Sequence, residues 1–278
     1  GLVTAVNPDD YLGTLTFQSS NTTDSIAITL MATTASGQAA FYTEGHTRIL
    51  STGATTGGGI FVGGTSSQDV GIMVGGGTKA DTFDILSASG KIVLDAGTDS
   101  LSMTSQGLMR LGSVSGDSDV STSSALITLI SDDFMWTDGS VSVNSTDTLK
   151  VEPSPSQSFT TLLNTAPLTY ANLGGLVFGH PENTAGNVAI RSAISLSADV
   201  SAFGQDIAID SSVTAISKNI LLTATGRVTQ TSALTSNGLV LNGTGQFILM
   251  DTTNNIVTIA AGDTMAKPDT IMFTDASG

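Results

Sequence analysis

Cysteine is absent from this chain, which removes the disulfide framework, the thiolate metal site and the cysteine nucleophile it would supply. Such a chain could also pass through oxidising space without mispairing. Aromatic residues are scarce, at 5% of 278 residues. A thick globular core would ordinarily use more Phe, Tyr and Trp as bulky filler. Charged residues make up only 12%, about half the usual share of a soluble domain. Positive charge is the scarcest: nine Lys and Arg, scattered from Arg48 to Lys267, against 24 Asp and Glu, for a net charge of −15. Nucleic acid is excluded as a partner, because phosphate neutralisation needs clustered cations. Anionic membranes are disfavoured for the same reason. No apolar run approaches the roughly 20 residues of a membrane-spanning helix, so no membrane insertion is expected. The chain opens at Gly1 with neither an initiator Met nor a signal peptide and is expected to be a processed or excised part of a longer precursor.

What is present is Gly, Ser, Thr and short aliphatic pairs. The chain holds 31 Gly and is 40% hydrophobic, with a positive mean hydropathy that argues against disorder. Helical periodicity is nearly missing, and alternation of period two is common: "KIVLDA", "SLSMTS", "ALITLIS", "SVSVNS", "TLKVEP", "DIAIDS", "NILLTA", "QFILMD", "NIVTIA". Each segment is four to seven residues long and bounded by small polar residues, as short strands should be. Nine positions separate Leu94 from Met103, eight separate Met103 from Leu111, and eight separate Val143 from Val151. Strand and corner alternating at this pitch predict an all-β chain wound into coils: a right-handed parallel β-helix, or β-solenoid, of about three short strands and about 20–27 residues per coil. Inward positions would stack Val, Ile, Leu and Ala, corners would take Gly, Asn and Ser, and outward faces would take Thr and Ser.

Two stretches interrupt the pattern. Thr52 to Asp81 is very rich in Gly, and "VEPSPSQS" (Val151 to Ser158) carries Pro153 and Pro155, which cannot donate to a ladder. The expected organisation is therefore a β-solenoid segment with Gly-rich loops over residues 1–150, a Pro-containing loop or seam over 151–158, and a second segment continuing the same stack over 159–278.

From Gly174 to about Asp263 the text becomes more specific, with "GQDIAIDSSVTA", "SKNILLTATGRVTQ" and "GLVLNGTGQF". This third of the chain resembles the repeat shafts of filamentous-haemagglutinin-like and autotransporter adhesins. The resemblance implies a right-handed parallel β-helix that is extracellular or on the cell surface, structural or adhesive. The family's N-terminal secretion domain is not recognisable in this sequence, so its two-partner secretion is not implied. Phage and viral fibre shafts are written in similar text.

Catalytic signatures are missing: no Gly-x-Ser-x-Gly elbow, no His-Glu-x-x-His, no Walker loop. His46 beside Glu44 and His180 beside Glu182 form the acid–base pairs that proximity in the chain suggests, and surface loop residues are the plainer reading of both. "GGGTKADTF" (Gly75 to Phe83) approaches the calcium nonapeptide but puts Lys79 where its third Gly belongs. Asp117 and Asp119, and Asp132, Asp133 and Asp138, could hold calcium through oxygen ligands, with solvated turn carboxylates as the plainer reading of them all. Asn21, Asn144 and Asn242 satisfy the glycosylation sequon, which matters only for a secreted eukaryotic chain. Trp136, Tyr11, Tyr42 and Tyr170 are the few aromatic platforms on which a sugar ring could stack.

The expected function is thus non-catalytic: a β-solenoid subunit or shaft segment of an extracellular filament, fibre or surface appendage. It would need no cofactor, and its partners would be copies of itself, end to end or lateral, with surface glycans as a further candidate. The alternatives are a carbohydrate-binding adhesin or sugar-active β-helix enzyme, and a trimeric phage or viral fibre.

Overall fold

The computed structural model describes residues 14–20, 26–34, 39–43, 46–52, 59–66, 70–74, 82–103, 108–136, 139–262 and 266–276. Among them there is no helix, and every residue pairing between strands is parallel. The chain divides into two compact units, one formed by Gly1–Leu149 with Pro167–Asn172, the other by Lys150–Ala166 with Leu173–Gly278.

The first unit opens with β1 (Thr14–Ser19), β2 (Ile26–Thr34), β3 (Phe41–Thr43) and β4 (His46–Ser51). It continues through β5 (Gly59–Ser66), β6 (Val70–Val74), β7 (Thr82–Ser87), β8 (Ile92–Asp95) and β9 (Ser100–Met103). Next come β10 (Leu108–Gly112), β11 (Ile127–Ile130), β12 (Asp133–Trp136) and β13 (Ser140–Asn144). The unit boundary falls inside β14 (Thr148–Glu152). The second unit holds β15 (Leu163–Asn164), the first regains β16 (Leu168–Ala171), and the second continues with β17 (Gly175–Phe178), β18 (Val188–Ile190) and β19 (Ile194–Leu196). Then follow β20 (Asp199–Gly204), β21 (Ile207–Ile209), β22 (Val213–Ala224), β23 (Arg227–Gln230) and β24 (Leu234–Asn242). The last are β25 (Gln246–Leu249), β26 (Asn255–Ala261) and β27 (Thr270–Phe273).

In the first unit each strand pairs with the third strand after it. This builds three sheets: β1-β4-β7-β10-β13-β16, β2-β5-β8-β11 and β3-β6-β9-β12. In the second unit one sheet runs β15-β18-β21-β23-β25-β27 and another β17-β20-β22-β24-β26. The long β22 joins two steps of the pattern, pairing with β19 through Val213–Ala215 and with β20 through Ile220–Ala224. Parallel neighbours need a crossover between them, commonly a helix. Here the crossovers carry further short strands and turns instead.

Register lines up like residues in columns. In the first unit Thr47, Phe83, Met109, Val141 and Leu168 face one another in succession, as do Ile60, Ile92 and Ile127; all are buried. In the second unit Val200, Ile220 and Leu239 form one column, and Val188, Ile207, Val228 and Phe247 another. The expected alternation therefore sets the core, with apolar residues at every second position turned inward. The partner offset differs between units. In the second it is 19 positions from Arg227 to Gln246 and 25 from Leu163 to Val188. In the first it runs from 26 (Thr82 to Leu108) to 36 (His46 to Thr82), from the top of the 20–27 expected to well above it. Longer connections account for the excess, such as the 14 residues between β10 and β11.

Candidate functional site

The densest chemistry in the first unit is a charged row across β4, β7 and β10. Register places Arg48 opposite Asp84 and Asp84 opposite Arg110. Arg110 donates two hydrogen bonds to Asp84, Nε to Oδ1 and Nη2 to Oδ2, both at 2.6 Å. His46 Nε2 lies 3.1 Å from Asp84 Oδ2. The Asp84 side chain is only 2% exposed. Its hydrogen bond to Arg110, against the cost of burial, raises the guanidinium pKa above its ordinary value. A histidine beside a buried carboxylate is half of a general-base arrangement, but both oxygens of Asp84 are already held by a guanidinium. The group works as a charge-assisted cross-link between strands.

Arg48 turns the other way, to the segment after β10. Its Nη2 donates to both oxygens of Asp117 at 2.8 Å and lies 3.3 Å from Asp119 Oδ2. The same segment seats Val120 on Leu50 and Leu86, so it covers the outer face of β4 and β7 by one apolar contact and one ionic clasp. Asp117 Oδ1 also accepts the backbone N–H groups of Asp119 and Val120. Burial pushes the Asp117 carboxyl up, but these two N–H groups and Arg48 outweigh it and hold the pKa below the usual carboxylate value.

The sequence-predicted residues fall in several places. Asp117 and Asp119 come together, around a guanidinium. Asp132 is buried rather than solvated, at 4% exposure, and its N–H donates to Gly97 O. Asp133 accepts from Ser100 Oγ at 3.0 Å. Among the described residues no three His, Cys, Asp or Glu side chains gather in a way that could hold a metal ion. His46 begins β4 instead of lying in a loop, and its partner is Asp84. His180, after β17, does pair with Glu182, with Nδ1 2.9 Å from Oε2. It also adjoins Glu152, a half-buried carboxyl whose pKa burial pushes up despite Lys150 and His180 nearby. Asn144 and Asn242 end β13 and β24; Asn144 Oδ1 accepts a hydrogen bond from Asn172. Trp136 is buried and stacked on Phe134 at 4.8 Å, so it offers no platform to a sugar. Asp138, Asn21, Glu44, Tyr11, Gly75 to Asp81 and the Tyr42 side chain lie outside the described residues.

The second unit offers a different kind of site, a pair of open strand edges. Among the described residues β26 pairs only with β24, and β27 only with β25. Ile259 faces Leu239, and Ile271 faces Phe247. Leu239 and Phe247 are fully buried, whereas Ile259 is 44% and Ile271 41% exposed. The apolar columns thus reach β26 and β27 uncovered. Neither strand carries a charged side chain or a proline, the usual protection of an edge. In the first unit the edge strands β1, β2 and β3 are also free of charge and proline. Sequence alternation marked β26 as a strand, through "NIVTIA", but could not say that it would end a sheet.

The chain matches no protein-family model, no curated protein and no solved structure.

Proposed function

We propose that this chain is a right-handed parallel β-solenoid that serves as a non-catalytic structural subunit, extending or assembling into a filament, fibre or surface appendage through its open β edges. The solenoid reading draws support from parallel pairing at every third strand in the first unit and at every second or third strand in the second, with no helix among the described crossovers, as short coils produce. The functional reading rests on one observation: at β26 and β27 the positions that continue buried columns are exposed, on strands bare of charge. Strands added there, one to each sheet, would continue the two parallel ladders and cover Ile259 and Ile271. The partner is a second copy presenting its own uncharged edge strands. An extracellular or cell-surface setting goes with the adhesin-shaft resemblance. Negative-stain electron microscopy of the native material is the test: filaments or end-to-end strings are expected, and uniformly dispersed particles at high protein concentration would overturn the proposal.

A further inference from the structure

A second feature of the second unit is a row of polar residues that ends at the edge strand β27. The sequence repeats a small phrase, Thr225-Gly226-Arg227 and Thr244-Gly245-Gln246, at the entrances to β23 and β25. Register sets Arg227 opposite Gln246 and Gln246 opposite Thr270. Asp206 comes just before Ile207, which faces Val228, so it joins the same row. Around this row lies an open groove of about 570 Å³, lined by Asp206, Thr225, Gly226, Arg227, Thr244, Gln246 and Asp269.

The glycines explain why there is a groove. A Cβ on Gly226 would come within 2.3 Å of Asp206 Oδ1, and one on Gly245 within 2.4 Å of Gly226 O. Each phrase therefore has a bare backbone step between a hydroxyl and a long polar side chain. Two of the lining groups are tied back: Asp206 Oδ1 accepts the Arg227 N–H at 2.6 Å, and Gln246 Nε2 donates to Asp269 Oδ2 at 3.1 Å. The Arg227 guanidinium is not. Among the described residues it enters no ion pair, although this chain has few cations and many carboxylates.

We infer that this groove binds a neutral, hydroxyl-rich chain, an oligosaccharide, with Arg227 and Gln246 as the central donors. Six of the seven lining residues carry a polar side chain, which suits a ligand rich in hydroxyl groups. The lining sets two donors (Arg227, Gln246) between two acceptors (Asp206, Asp269), and ring hydroxyls both give and accept hydrogen bonds. The polar steps recur at the spacing of neighbouring strands, about 4.8 Å. That is comparable to the advance per sugar in an extended glycan, so successive rings meet successive rungs. Carboxylates at both ends of the row disfavour an anionic sugar.

Cellohexaose, mannohexaose and maltohexaose, offered in turn to the full chain and followed by saturation-transfer NMR and calorimetry, test the inference. At least one is expected to bind. Arg227→Ala should weaken that binding about tenfold, the cost of one charge-assisted hydrogen bond. Arg227→Lys should weaken it too, because the forked donor is lost. Lys218→Ala, which removes an exposed cation outside the groove, should change nothing. Arg227 is exposed, so circular dichroism of its variants should match the parent. The inference is overturned if none of the three sugars binds at millimolar concentration, if Arg227→Ala binds as well as the parent, or if hexagalacturonate binds more tightly than the neutral chains.

Discussion

Asp84 gathers more of the first unit's charge chemistry than any other described side chain, and nothing in its neighbourhood along the chain announces it. Arg48 is 36 positions before it and Arg110 26 after; only parallel register makes them neighbours. Asp84→Asn leaves the Arg110 guanidinium without its counter-charge beside a buried amide. It should lower stability by about 2–4 kcal/mol, near the lower end for a buried pair because Arg110 keeps some exposure. Chemical denaturation of the full chain reads this directly. Two other carboxyls should respond to pH in opposite senses. The Asp117 pKa is held below its unfolded value, so its contribution is present above the ordinary carboxylate range and fades as pH falls through the lowered folded pKa. Asp117→Asn should therefore cost stability at neutral pH and little in strong acid. The Glu152 pKa is raised on folding, so its ionised form is disfavoured in the native state, and stability rises as pH falls through that folded value. Glu152→Gln should stabilise at neutral pH and be without effect in acid, measured as Tm against pH.

At the scale of elements, the strands were the legible part of the sequence. "SVSVNS", "TLKVEP", "DIAIDS", "NILLTA", "QFILMD" and "NIVTIA" all contain strands of the structure, because alternation is imposed by one buried face and survives whatever the partner is. Three things were hidden. Low overall charge gave no sign that β4, β7 and β10 carry Arg48, Asp84 and Arg110 in one row; opposite charges tolerate stacking because they pair. The segment after β10 read as an acidic turn, and its seat against Leu50, Leu86 and Arg48 depends on contacts more than 30 positions away. Trp136 read as a surface platform, but the inward phase of β12 buries it. Column position also makes a prediction. Phe247→Ala in β25 empties a buried site and should cost about 3–5 kcal/mol. Ile271→Ala, the next residue of the same column, should cost under about 1 kcal/mol in the dilute, unassembled chain, because its side chain is already half in water. Equal losses in urea unfolding would mean that β27 is covered in solution.

For the molecule as a whole, the central claim is that β26 and β27 are a joining surface rather than an end. Composition pointed that way early: a chain with so little charge has little with which to protect an edge, and β26 and β27 have none. The sequence could not show where the columns would run out, because Ile259 and Ile271 read like any other inward residues. The most direct measurement is molar mass by light scattering over a concentration series, for the parent and for the Ile259→Lys/Ile271→Lys double variant. The account predicts mass rising with concentration for the parent and a constant monomer mass for the variant, whose two charges would have to be buried at the joint. A parent that stays monomeric across the series, or a variant that associates as the parent does, would contradict it.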